Sequence, residues 1–90
     1  MEEDSLPVLP GFREIAQRRR LVIGELAGAR RAAGLSQTEV AARMGTSQSV
    51  VARLESGAID ARLSTLQRYA AAVGWELELG VRPRTQEGPR

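Results

Sequence analysis

Ser36-Gln37-Thr38-Glu39-Val40-Ala41-Ala42-Arg43-Met44-Gly45-Thr46-Ser47-Gln48-Ser49-Val50-Val51-Ala52-Arg53-Leu54-Glu55-Ser56-Gly57 carries two helix starts and two helix stops in close succession. Ser36 followed three positions later by Glu39 has the capping-box form: a hydroxyl that accepts an orphan N–H and a carboxylate that reaches back. The spacing predicts a short helix from Gln37, with Val40, Ala41 and Met44 on one face and Gly45 as its stop. A second cap, Thr46 or Ser47, opens a helix whose Val51 and Leu54 face inward. Gln48, Ser49, Ala52, Arg53 and Ser56 then share the opposite face, and Gly57 ends the segment.

Working outward, Phe12, Ile15, Ala16, Arg19, Val22, Ile23 and Leu26 recur at steps of three and four, which predicts one helix running to Ala33 before Gly34. At 1.5 Å per residue it spans roughly 33 Å. Gly24 and Gly28 sit inside it. Glu25 and the flanking arginines exclude a membrane packing motif, so close approach of a neighbouring helix is the expected reason for the pair, with a kink near Gly24 as the alternative. On the other side, Ser64-Thr65-Leu66-Gln67 repeats the capping logic, and Leu63, Leu66, Ala70 and Val73 give a last amphipathic helix closed by Gly74. Trp75 to Val81 then alternates apolar and polar, a strand signature ended by Pro83. Leu6 to Pro10, with its two prolines, makes a poor ladder partner, so pairing with another chain is expected.

The organisation read from this is an extended or mobile arm over 1–10, a helical domain over 11–74, a dimerisation strand over 75–82 and a flexible tail over 83–90. Trp75, Leu77, Leu79 and Val81 form its expected dimer face. The chain has 90 residues with no cysteine and no histidine. That removes disulfides, thiolate nucleophiles, imidazole bases and nearly all zinc chemistry, so no enzyme, metal or cofactor is expected. Glu76 and Glu78 read as solvated. The longest apolar run, Leu21-Val22-Ile23, cannot span a bilayer, and the acidic start lacks a signal peptide's charge, so a cytoplasmic protein without membrane contact is expected. Net charge is only +2, yet residues 11–62 hold nine arginines against five acids, a local excess that suits phosphate. Arg18-Arg19-Arg20 reads as a solvated helix flank.

Two short helices joined by a tight Gly-containing turn, the second polar outside, can present a helix to the major groove of double-stranded DNA. Gln48 offers paired donor and acceptor atoms to an adenine edge, and Arg53 can fork onto a guanine. Ser49 is less discriminating. Val50 flanks this face and suits either a thymine methyl or the edge of the core. Gln37 stands at a helix start, where free N–H groups favour a phosphate.

The stretch from Leu35 to Gly57 resembles the helix-turn-helix of the Cro and lambda-repressor-like (XRE) family. That resemblance implies an all-α bundle of four to five helices. Gln37 and Thr46 would clamp the DNA backbone, with Ser47 beside them, while Gln48, Ser49 and Arg53 meet bases and Val50 and Ala52 line the same face. It implies further that Arg30 and Glu55 form a structural ion pair. The loop Ala58 to Arg62 is poorer in bases than in many relatives, leaving Arg62 as its evident phosphate ligand. Leu63 to Gly74, followed by a strand, resembles HigA-type antitoxins of bacterial toxin–antitoxin operons. The expectation is a dimeric repressor of a palindromic operator, with an antitoxin that binds a toxin protein as the alternative.

Overall fold

The structure, a computed structural model, describes residues 12–83. Four helices follow one another: α1 (Phe12–Ala32), α2 (Gln37–Met44), α3 (Gln48–Ser56) and α4 (Leu63–Ala72). The expected all-α bundle is therefore present. The expected arm lies outside the described residues, as does all of the expected tail after Pro83.

α2 forms where the capping box predicts it. Ser36 Oγ accepts from the Glu39 N–H at 3.0 Å, and the Ser36 N–H donates to Glu39 Oε1 at 2.7 Å. The helix turns off at Gly45, whose φ of 75° lies in the left-handed region that a side chain disfavours. Thr46 N then donates to Ala41 O at 2.9 Å and points the chain into α3. Of the two candidate caps for α3, Ser47 takes the role: its Oγ accepts from the Val50 N–H at 3.3 Å. Thr46 belongs to the turn.

The core is assembled from one face of each helix. Ile23, Leu26 and Ala29 of α1 meet Val40, Ala41 and Met44 of α2, Val51 and Leu54 of α3, and Leu66, Tyr69 and Ala70 of α4. Val40 and Val51 are fully enclosed, so the two short helices cross at the centre of the packing. The small Ala41, 2% exposed, lets them approach closely. Only the second half of α1 takes part. Its first turns project beyond the bundle, leaving Ile15 and Leu21 more than half exposed at 60% and 67%.

Four sequence expectations need correction. α1 runs unbroken through Gly24 and Gly28, and a Cβ at either position would meet nothing within 4 Å, so no neighbouring helix approaches there. α4 starts two residues earlier than its Ser-Thr pair suggested. Its N-cap is Arg62, which supplies no side-chain cap, because Leu63 already has helical geometry. α1 ends at Ala32 rather than Ala33, where Gly34 N donates to Arg31 O and Leu35 N to Arg30 O. The largest correction concerns the end of the domain. Trp75 to Pro83 forms no strand. A strand exists through its ladder, and among the described residues no segment pairs with this one. Nor does the alternation produce a single apolar face: Leu77 turns in against the core, whereas Trp75, Leu79 and Val81 are exposed.

Candidate nucleic-acid interface

α3 presents its polar face outward as expected. Gln48, Ser49, Arg53 and Ser56 are exposed, Ala52 is half-buried, and Val51 and Leu54 anchor the opposite side. Val50 lies between the two faces, partly buried and packed against the core. Ser47 Oγ and Ser49 Oγ share a hydrogen bond of 3.1 Å, so both hydroxyls are already engaged at the helix start. Arg53 makes no side-chain hydrogen bond among the described residues, and its guanidinium is available to a ligand. Ser56 Oγ donates to Arg53 O at 3.2 Å and accepts from Ala58 N at 3.3 Å, which tightens the exit from α3. Arg62 is exposed at the start of α4.

Behind this face lies a network centred on Glu55. Arg30 holds it bidentately, Nε to Oε2 at 2.7 Å and Nη2 to Oε1 at 3.0 Å, and Arg30 Nη1 also donates to Leu35 O at 2.9 Å. The Tyr69 hydroxyl donates to Oε2 as well, and Gln37 Nε2 donates to Oε1 at 3.0 Å. Burial pushes the Glu55 carboxyl up, but hydrogen bonds from Arg30, Tyr69 and Gln37 outweigh it and hold the group below the ordinary carboxylate range. Tyr69 is shifted the opposite way, by burial and by the neighbouring carboxylate, and keeps its proton. The predicted Arg30 and Glu55 ion pair is thus formed, and only 12% and 9% of the two side chains are exposed.

Gln37 links this interior to the surface. While its Nε2 is bound to Glu55, its Oε1 accepts from Gln48 Nε2 at 2.7 Å. The side chain read as a phosphate ligand therefore has a protein partner at both ends, with one N–H of its amide left over for a ligand. Sequence reasoning did not anticipate this, nor the part played by Tyr69. A signal for Tyr69 existed: it falls on the same face of α4 as Leu66, Ala70 and Val73, and a buried tyrosine needs a partner for its hydroxyl. Two arginines also acquire structural partners. Arg43 Nη1 donates to Ala72 O at 2.9 Å, placing a cation at the C-terminus of α4. Arg19, read as part of a solvated flank, pairs with Asp60 in the loop after α3 at 2.5 Å.

This arrangement, a capped pair of helices crossing at a left-handed glycine with the second helix polar outside, matches the family model described as Helix-turn-helix over residues 26–83. The chain belongs to the XRE-type helix-turn-helix family, a family of DNA-binding domains. It is also 42% identical over 73 residues to proteins named Antitoxin HigA1 from two strains of Mycobacterium tuberculosis, CDC 1551 / Oshkosh and ATCC 25618 / H37Rv. The aligned stretch covers 81% of this chain but 49% of each relative, so the chain spans about half the length of the curated relatives it matches. No solved structure matches it at a significant level. Among the described residues no helix is long and apolar enough to cross a membrane.

Proposed function

We propose that this helix-turn-helix protein is a sequence-specific transcriptional regulator of the cytoplasm, acting as a dimeric repressor on a palindromic operator. The observation that carries the reading is the outer face of α3, where Gln48 and Arg53 stand exposed on a helix fixed from behind. In this reading α3 enters the major groove. Gln48 meets an adenine edge, Arg53 a guanine, and Ser49, Val50 and Ala52 fill the space against neighbouring bases. Phosphates are met by the N-terminus of α2 at Gln37, by the turn at Thr46 and Ser47, and by Arg62. Two copies would place their reading helices about 34 Å apart, in successive turns of the major groove. Exposed apolar side chains at Trp75, Leu79 and Val81 support contact with a second copy.

Footprinting against a selected operator tests the reading. The expected result is a two-fold symmetric protected site. A chain that protects nothing, or binds every sequence equally with only a dependence on salt, overturns it.

A second reading, an antitoxin that also binds a toxin protein, is favoured by the identity to Antitoxin HigA1 over most of this chain. Co-expression with the product of the adjacent gene tests it. Copurification and relief of growth arrest are expected, and a harmless neighbour that does not bind removes it.

A further inference from the structure

Gln37 and Gln48 are amides, and an amide can face either way in a site of given shape, so something must choose the direction. Here the choice is made by charge. An ionised carboxylate only accepts, so the Gln37 group facing Glu55 Oε1 must be its NH2. That leaves the Gln37 carbonyl toward Gln48, which must in turn donate with its own NH2. Gln48 Oε1 makes no hydrogen bond among the described residues. The reading residue therefore meets DNA in one sense, with its carbonyl oxygen and one remaining N–H as the available groups.

The carboxylate that starts this chain of choices is aimed by Tyr69. Glu55 Oε2 is held by Arg30 Nε and by the Tyr69 hydroxyl from α4, and Arg30 Nη2 holds Oε1, so the two side chains together keep Oε1 in line with Gln37. We infer that Tyr69, which lies on the core face of α4, is a positioning residue for base discrimination: through Glu55 and Gln37 it fixes the direction of the Gln48 amide. This rests on the proposed reading of DNA by α3. Bidentate recognition of adenine needs a donor and an acceptor in a set order, so a Gln48 free to turn discriminates less. Without the hydroxyl, the Glu55 carboxylate keeps both Arg30 bonds but loses its tie to α4, so its position relative to Gln37 rests on the α1 side chain alone.

Tyr69→Phe tests the inference, since it retains the buried ring, 2% exposed, and removes only the hydroxyl. Sequences bound from a randomised DNA pool are compared for the wild-type chain and for Y69F, alongside side-chain amide NMR signals of both glutamines in the free protein. The expected result is a loss of about tenfold in discrimination at one base pair, with unchanged affinity for random DNA and faster exchange of the Gln48 amide protons. A merely structural effect would weaken all sequences alike. A folded Y69F with the wild-type sequence profile and amide signals overturns the inference. Should Y69F not fold, Gln37→Met breaks the same chain one link later while sparing Arg30, Glu55 and Tyr69. It must blur the same base pair, and an unblurred profile overturns the inference equally. A wild-type chain that enriches no sequence is a different failure: it removes the proposed function and the inference falls with it.

Discussion

The carboxylate of Glu55, on α3, accepts hydrogen bonds from the three other helices: Arg30 on α1, Gln37 on α2 and Tyr69 on α4. Its depressed pKa makes stability depend on pH in a definite direction. Because the folded value lies below the unfolded one, the contribution is complete above the ordinary glutamate value of about 4.3 and is lost as pH falls through the folded value. Tyr69 is raised, so its contribution is complete below about pH 10 and declines as pH rises beyond it. Thermal melts should show a plateau between these limits, and Tyr69→Phe should remove the alkaline decline attributable to the phenol. Arg30→Met should be costlier than either titration at neutral pH. It leaves a carboxylate with 9% exposure and no cationic partner, and a loss of about 3 kcal/mol is expected in denaturant unfolding. On the outer face, Gln48→Ala and Arg53→Ala should each lose roughly 1 to 3 kcal/mol on a selected operator and little on random DNA. Equal losses on both would show that these side chains do not read bases.

At the scale of elements, α2 and α3 were legible in the sequence because each is bounded by local chemistry. Ser36 with Glu39, Ser47, Gly45 and Gly57 act within a few residues of themselves, and no distant contact is needed to place them. The Arg30 and Glu55 pair followed from family resemblance alone. The role of Gln37 did not follow, because its partners are separated from it by 11 and 18 positions and arise only when α2 crosses α3. The strand expected after Gly74 is absent among the described residues for a related reason: alternation reports which side chains are apolar, whereas a ladder needs a partner that a single chain does not supply. Local boundaries are also the easiest to test. Ser36→Ala should cost about 1 kcal/mol and fray the first turn of α2, seen as faster amide exchange at Glu39. Gly45→Ala should cost a comparable amount through backbone strain, since its φ is 75° and a Cβ there meets no neighbouring atom.

For the whole molecule, the question is what the surplus apolar surface does. Ile15 and Leu63 flank a groove between the projecting half of α1 and the segment after Gly74, and Leu79 lines the same groove, which encloses about 560 Å³. Leu79 is 60% exposed and Val81 101%, so a charge at either position costs the isolated chain little. Leu77 is different, since it packs on the core, and truncating the whole segment would confuse folding with association. The paired substitution Leu79→Glu with Val81→Glu separates the two. In the dimer reading, four carboxylates would meet at the contact between copies, and burying them unpaired is prohibitive. Light scattering should then report a dimer for the wild-type chain and a monomer for the variant at the same concentration, with the helical circular-dichroism spectrum retained and a melting temperature that no longer depends on protein concentration. The footprint should contract to one half-site, and operator affinity should fall far more than affinity for random DNA, because one reading helix is lost from the complex. A wild-type chain that is already monomeric, or a variant that remains dimeric, removes Leu79 and Val81 from the interface and leaves their exposure to be explained by a different partner.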